Sequence, residues 1–231
     1  MVVNYEEKYL KRSMVAGRIL RFVPFLRMAG LNGSLSRGEA KQSSDIDFLI
    51  IARDGRLYTA RFFAVLLVAL TGWRRSGKKI AGRICLNCYL SASHPDVVPH
   101  NPQSNKKVAI GYRYLIPLVD DGKTAKKFFK INKWMGKNLK CRMQNEKFQP
   151  KADPPLTEKF KIINKYLKEK IFLEYPKQPK RTFEKLLSGR FGNFVERKLM
   201  DYERRRILGG ACRGDEIFAD EKEIRLHPQK N

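Results

Sequence analysis

The sequence predicts an α+β protein, in which a small mixed sheet flanked by helices is followed by a basic, mostly helical region. Three observations lead there. Short apolar runs bounded by turn residues read as strands, and helix-periodic segments stand beside them in the first hundred residues. Beyond that point apolar residues recur at three- and four-residue spacing in a background of lysine. Finally, 231 residues with 42% hydrophobic content suit one domain with a real core plus a smaller appendage.

The elements follow in order. Tyr5 to Phe22 reads as a helix, with Tyr9, Met14, Ile19 and Leu20 among Glu6, Lys8, Lys11, Arg12, Arg18 and Arg21. Pro24 lacks the amide hydrogen to extend it and ends it. Phe25 to Leu31 is the first strand and delivers Gly33 and Ser34 at its tip; Asp45 to Ala52 is the second, closed by a turn at Asp54-Gly55. Leu57 to Leu70 is an almost wholly apolar helix, hence a buried one, ended by Gly72. After the basic loop Trp73 to Lys79, the third strand runs from Arg83 to Ser91. His94 to Asn105 is rich in Pro, Asn and Ser, and marks the expected boundary between a domain of residues 1–100 and a basic helical one of 101–231.

In that second region Val108 to Val119 reads as one element, its length limited by Pro117. Asp120-Asp121-Gly122 is a turn, and Lys123 to Leu139 an amphipathic helix. A linker at Lys151 to Pro155 leads to another helix, Leu156 to Leu173, and Phe183 to Ile207 holds one or two more, interrupted near Gly189 and Gly192. The tail from Asp215 to Pro228 is expected to return as short strands or an arm across the body.

The stretch from Gly33 to Ile51 carries the chemistry. Residues two apart on a strand share a face, so Asp45 and Asp47 project side by side while Ile46, Phe48 and Ile50 turn into a core. Two like charges held that close repel unless a cation sits between them. Mg²⁺ or Mn²⁺ suits one or two carboxylates plus phosphate oxygens, which makes a nucleoside triphosphate the natural occupant. Glycine lets the backbone approach a ligand, and the amides of a Gly-Ser turn can receive phosphate. Ser34 and Ser36 add hydroxyls, and Arg37 or Lys41 adds charge. An isolated Asp-x-Asp is more often an acidic strand end, but here turn, spacing and apolar strand coincide.

Gly33-Ser34, ten intervening residues and Asp45-Ile46-Asp47 resemble the signature of the polymerase-beta-like nucleotidyltransferase superfamily, and within it the small stand-alone, MNT-like domains. The likeness spans residues 23–91. It implies the nucleotidyltransferase fold and transfer of a nucleoside monophosphate from a metal-bound triphosphate to a hydroxyl or other nucleophile, releasing pyrophosphate. On this likeness Asp45 and Asp47 are the catalytic metal ligands, and Gly33, Ser34, Ser36, Arg37 and Lys41 bind the nucleotide. Such families usually carry a third carboxylate on the next strand, where it helps bind a second metal and activates the attacking hydroxyl; this chain offers Asn87 at or near that place. An amide can touch a metal but cannot act as a general base. Either two carboxylates suffice with an activating group elsewhere, Asp96, Asp120 and Asp121 being the options, or activity is weakened or lost. A working enzyme is the expectation.

Cys85 and Cys88, followed by His94 and His100, have the look of a zinc set. Residues three apart on a strand face opposite sides, so two ordinary half-buried thiols are expected instead. Four unevenly spread cysteines make no disulfide framework. With 48 basic against 23 acidic residues the net charge is +25, which points to polyanionic partners rather than to a fold. Lys126, Lys130, Lys133 and Lys137 stack with Lys123 and Lys140 along one helical face opposite Phe128, Ile131, Met135 and Leu139. Trp134 sits beside them, where a nucleobase could stack. Contact with nucleic acid or another polyanion and a merely solvated face both fit this pattern. The opening residues are too quickly charged for an export signal, and the run Phe62 to Leu70 falls short of the ~20 residues of a membrane span, so a cytoplasmic protein without membrane partners is expected. Two alternatives remain: a non-catalytic nucleic-acid-binding protein on the same fold, and, by resemblance, a partner in a toxin–antitoxin pair.

Overall fold

The computed structural model describes residues 4–135, 163, 165, 179–209 and 216–227. In chain order its elements are α1 (Asn4–Leu20), β1 (Leu26–Asn32), α2 (Gly33–Arg37), β2 (Ile46–Ala52), α3 (Leu57–Leu70), β3 (Ile84–Ser91), α4 (Asn105–Arg113), β4 (Ile116–Asp120), α5 (Thr124–Ile131), α6 (Pro179–Leu186), α7 (Arg190–Gly209), β5 (Glu216–Ala219) and β6 (Glu223–His227). The strands form one mixed sheet in the order β4-β1-β2-β3-β6-β5, in which β2 and β3 are parallel and every other pair is antiparallel. This is the predicted α+β class, with helices on both faces and helical segments after the central strands.

Strand alternation sorts the core into two layers. Ile46, Phe48, Ile50 and Ala52 of β2 pack on one face with Leu10 and Leu20 of α1, Ala60, Ala64 and Val68 of α3, and Ile207 of α7. Leu49 and Ile51 face the other way, with Met28, Cys88 and Leu90, under Ala109 and Tyr112 of α4 and Phe128 of α5. A fully buried side chain of this size contributes about 1.5–3 kcal/mol, so β2 is anchored from both sides. Asp47 belongs to the second face by its parity.

The first three strands and α3 fall within a residue or two of their predicted bounds. Val108 to Val119, read as a single element, divides instead into α4 and β4. Leu115, Ile116, Leu118 and Val119 are all buried, and among the described residues β4 is an edge strand paired with β1, where Pro117 is tolerated. The helix predicted over Lys123 to Leu139 stops at Ile131. Buried Asn132 ends it by giving its side chain away: Nδ2 donates to the carbonyls of Pro95 and Phe128, at 2.9 and 3.0 Å, and Oδ1 accepts from the Val97 amide at 2.9 Å. The linker 151–155 lies outside the described residues, as does the helix predicted over 156–173 apart from residues 163 and 165. Between α6 and α7, the chain breaks where Arg56 takes the carbonyls of Leu187 and Ser188, at 2.9 and 3.1 Å. The tail does return as strands, β5 and β6, extending the sheet beyond β3. Among the described residues no helix is long and apolar enough to cross a membrane.

Candidate active site

Three neighbouring strands bring the site together. Asn32 of β1 pairs with Asp47 of β2, and Asp47 pairs with Cys85 of β3, so the three side chains stand in a row on one face. A bulge then interrupts the β2–β3 ladder: Phe48 pairs with Leu86 and Leu49 with Cys88, which leaves Asn87 as the extra residue. Bulges re-aim side chains. Here Asn87 Nδ2 is turned onto Asp47 Oδ1, at 3.1 Å. Gly33 follows β1 directly, with φ at +75°, a conformation that side-chain-bearing residues avoid. A β-carbon there would also collide with the Asp47 carboxylate. Conformation and contact therefore each demand glycine, and the Gly-Ser turn lies against the acid pair.

A basic group closes the cluster. Arg75 Nη1 donates to Asp45 Oδ2 at 2.6 Å and approaches Cys85 Sγ at 3.5 Å. Its backbone is held beside the start of β3, because the Arg75 amide donates to the Ile84 carbonyl at 2.9 Å and the Ile84 amide to Trp73 at 2.8 Å. Helix α1 fixes the loops on either side of the acids: the Tyr9 hydroxyl donates to the Gln42 carbonyl at 2.6 Å, and Arg12 to the carbonyl of Gly82.

Acceptor atoms outnumber donors at this end. Burial, reinforced by the charge of Asp45, pushes the Asp47 carboxyl up to about 7, against the pull of Arg75, Cys85 and Arg37. Burial also pushes the Cys85 thiol up to about 12, and the two aspartates add to it. Asn32 Oδ1 and Asn87 Oδ1 are buried acceptors with no hydrogen-bond partner. One ligand atom each from Asp45, Asp47 and Cys85 lies within 4.8 Å of the others. Acceptor atoms that outnumber their donors around two carboxylates suit a divalent cation, so the residues present fit the metal that the resemblance implies.

The family model of the nucleotidyltransferase domain matches residues 15–143, more than half of the chain. This chain belongs to the nucleotidyltransferase domain family. The match takes in the end of α1, both aspartates, β3 and α5, well beyond the segment whose likeness is visible by eye. No curated protein and no solved structure is similar enough to match the chain.

The nucleotidyltransferase domain distributes the other predicted residues unevenly. Ser34 is part-exposed in the one-turn helix α2, whose first turn has no side-chain cap. Ser36 is buried, and its hydroxyl donates to the Gly33 carbonyl at 3.0 Å, so it braces the turn. Arg37 lies close enough to Asp47 to pull its carboxyl down, while its Nε is paired with Glu39 at 2.8 Å. Lys41 is exposed, its amide bound to Ser44 Oγ at 2.9 Å. Asp120 and Asp121, options for a third carboxylate, cap the start of α5 instead, accepting from the amides of Ala125 and Thr124 at 2.9 Å each. The Asp96 carbonyl accepts from Arg225 at 3.2 Å.

Lys126, Lys130 and Lys133 are exposed; Lys137 lies outside the described residues. Because the helix ends at Ile131, Lys133 does not continue the α5 row. Trp134 is part-buried against the second-face core, with its Nε1 donating to Asn132 Oδ1 at 3.2 Å. No zinc set forms among the described residues: Cys88 is buried beside Tyr112, and His94 pairs with Ser93 at 2.8 Å. Sequence reasoning missed Arg75 and Cys85 as members of the site. Parity across β2 and β3 could have signalled Cys85, whereas nothing in the basic loop distinguished Arg75 from its neighbours.

Proposed function

We propose that this domain transfers a nucleoside monophosphate from a metal-bound nucleoside triphosphate to a hydroxyl or other nucleophile, releasing pyrophosphate. The observation that carries the reading is the packing of Gly33 against Asp47, within a cluster where Asp45, Asp47 and Cys85 converge to 4.8 Å. Asp45 and Asp47 would hold Mg²⁺ or Mn²⁺, an ion that when bound withdraws charge from the transferring and leaving oxygens. The chain supplies the rest. Gly33 and Ser34 present backbone amides where the outer phosphates lie beside the acids, and Gly33 keeps that approach free of a side chain. Arg75, paired with Asp45, and Arg37 bring fixed positive charge to the same phosphates. In the place of a third carboxylate the site has the Asn87 amide and the Cys85 thiol. The Asn87 bond to Asp47 orients that carboxylate rather than accepting a proton.

The region beyond residue 100 is read as the acceptor side, with Lys126, Lys130, Lys133 and Lys137 offering charge to a polyanionic acceptor such as nucleic acid. The reading sets the reaction in the cytoplasm, where nucleoside triphosphates are supplied. Incubation with triphosphates labelled at the α-phosphate, divalent metal and cell extract should label an acceptor, and Asp45→Asn or Asp47→Asn should abolish that labelling. Turnover unchanged by both substitutions refutes the assignment. Asn87 and the charge of +25 favour a second reading, a nucleic-acid binder without catalysis. In that case a calorimetric titration would show binding to nucleic acid and indifference to metal-bound nucleotide.

A further inference from the structure

Cys85 is the unusual member of the acid cluster. It is the residue of β3 in register with Asp47, and its Sγ lies with the carboxylate oxygens of Asp45 and Asp47 inside 4.8 Å. The guanidinium of Arg75 makes the convergence visible, because one positively charged nitrogen contacts both Asp45 Oδ2, at 2.6 Å, and Cys85 Sγ, at 3.5 Å. That nitrogen stands where a cation shared by oxygen and sulfur would be drawn. Two further oxygens, Asn32 Oδ1 and Asn87 Oδ1, are buried there without a donor. Cys88 shares this face because of the bulge, but it pairs with Leu49, two residues along β2 from Asp47, and is fully buried among Met28, Leu49 and Tyr112 outside the Asp45–Asp47–Cys85 group.

We propose that Cys85 is a third metal ligand of this site, so that the domain takes a thiolate-accepting divalent ion of the zinc or cobalt class in preference to Mg²⁺. The inference rests on the proposed role of Asp45 and Asp47 and sharpens it. Hard carboxylate sites suit Mg²⁺, whereas a thiolate turns selectivity towards softer ions. Binding exchanges the thiol proton for the metal and releases that proton to solvent, while the guanidinium of Arg75 gives up its contacts with Asp45 and Cys85. The positive charge so freed stays beside the place proposed for phosphate.

The test uses the full chain with Cys141 and Cys212 exchanged for serine, so that only Cys85 and Cys88 can report. Titration with Co²⁺ or Cd²⁺ should produce a saturable sulfur-to-metal charge-transfer absorption. Cys88→Ser should keep the band and Cys85→Ser should lose it, with metal affinity falling roughly 10- to 100-fold or more, the loss that even an outer-shell partner causes. Cys85→Asp, which restores a carboxylate, should lose the band and shift selectivity back towards Mg²⁺. In parallel, Mn²⁺ binding is followed by paramagnetic resonance in the parent and in Asp45→Asn and Asp47→Asn. Mn²⁺ binding that needs the aspartates, with no sulfur band or a band that survives Cys85→Ser, overturns the role of Cys85 and leaves the proposed function standing. Failure of every ion to bind removes both.

Discussion

The two ends of the β2–β3 pair are built on opposite rules. At the far end, where β2 gives way to α3, a carboxylate and a guanidinium are bonded across elements. Glu196 of α7 accepts from the amides of Tyr58 and Thr59, at 2.8 Å each, and from the Thr59 hydroxyl, closing the N-terminus of α3. Arg56 beside it donates to Leu187, Ser188 and Asn193. At the near end two aspartates share a cluster with a thiol, one arginine offsets them, and two amide oxygens are left without donors. The bonds of Arg56 and Glu196 join α7 to the start of α3, whereas the acid pair and the two amide oxygens at the near end are left with acceptors in excess. A fold tolerates such an end when a ligand completes it.

The contrast can be broken from either side. The largest effect is expected at the near end: Asp47→Asn should lower nucleotidyl transfer by roughly 10²- to 10³-fold or more, the scale for losing one charge-stabilising group, while leaving the protein folded. At the far end Glu196→Ala should do the reverse. It strips three hydrogen bonds from a charged acceptor, and urea denaturation should show a loss of about 1.5–3 kcal/mol. Transfer per folded molecule should stay unchanged.

A smaller effect follows from Arg75. Since its guanidinium competes with a metal for Asp45 and Cys85, Arg75→Gln should strengthen metal binding in the absence of nucleotide and weaken binding of the triphosphate. Equal changes of both in the same direction would contradict that role. The mildest is a pH dependence. The Asp47 carboxyl is raised from 3.8 to about 7, so the folded state holds a proton that the unfolded chain releases first. The stability this contributes is complete below about pH 4 and is lost as pH rises through about 7. Asp47→Asn should flatten that part of the stability profile, and metal affinity of the parent should climb over the same interval.

The sequence was most informative where one residue had to satisfy two demands. Gly33 and the Asp45-Ile46-Asp47 alternation are visible because conformation, contact and period each restrict the residue type. Side chains recruited by tertiary contacts left no such trace. Arg75 reads like any basic loop residue until the backbone bonds to Ile84 place it, and Asn87 faces Asp47 through a bulge that no period announces. Asn132 ends α5 by bonding to a loop some 35 residues earlier, which a helical pattern of lysines and aromatics cannot disclose. The short tail strands were foreseen only as an option, since β6 joins the sheet by pairing with β3, more than a hundred residues away, and β5 by pairing with β6.

The central claim is that the near end is completed by a metal-bound nucleotide. Calorimetric titration of the purified protein with a non-hydrolysable triphosphate, with and without divalent metal, addresses it most directly. The account predicts saturable binding that requires the metal and disappears in Asp45→Asn and Asp47→Asn. Binding that ignores the metal, or that persists in both variants, would contradict it.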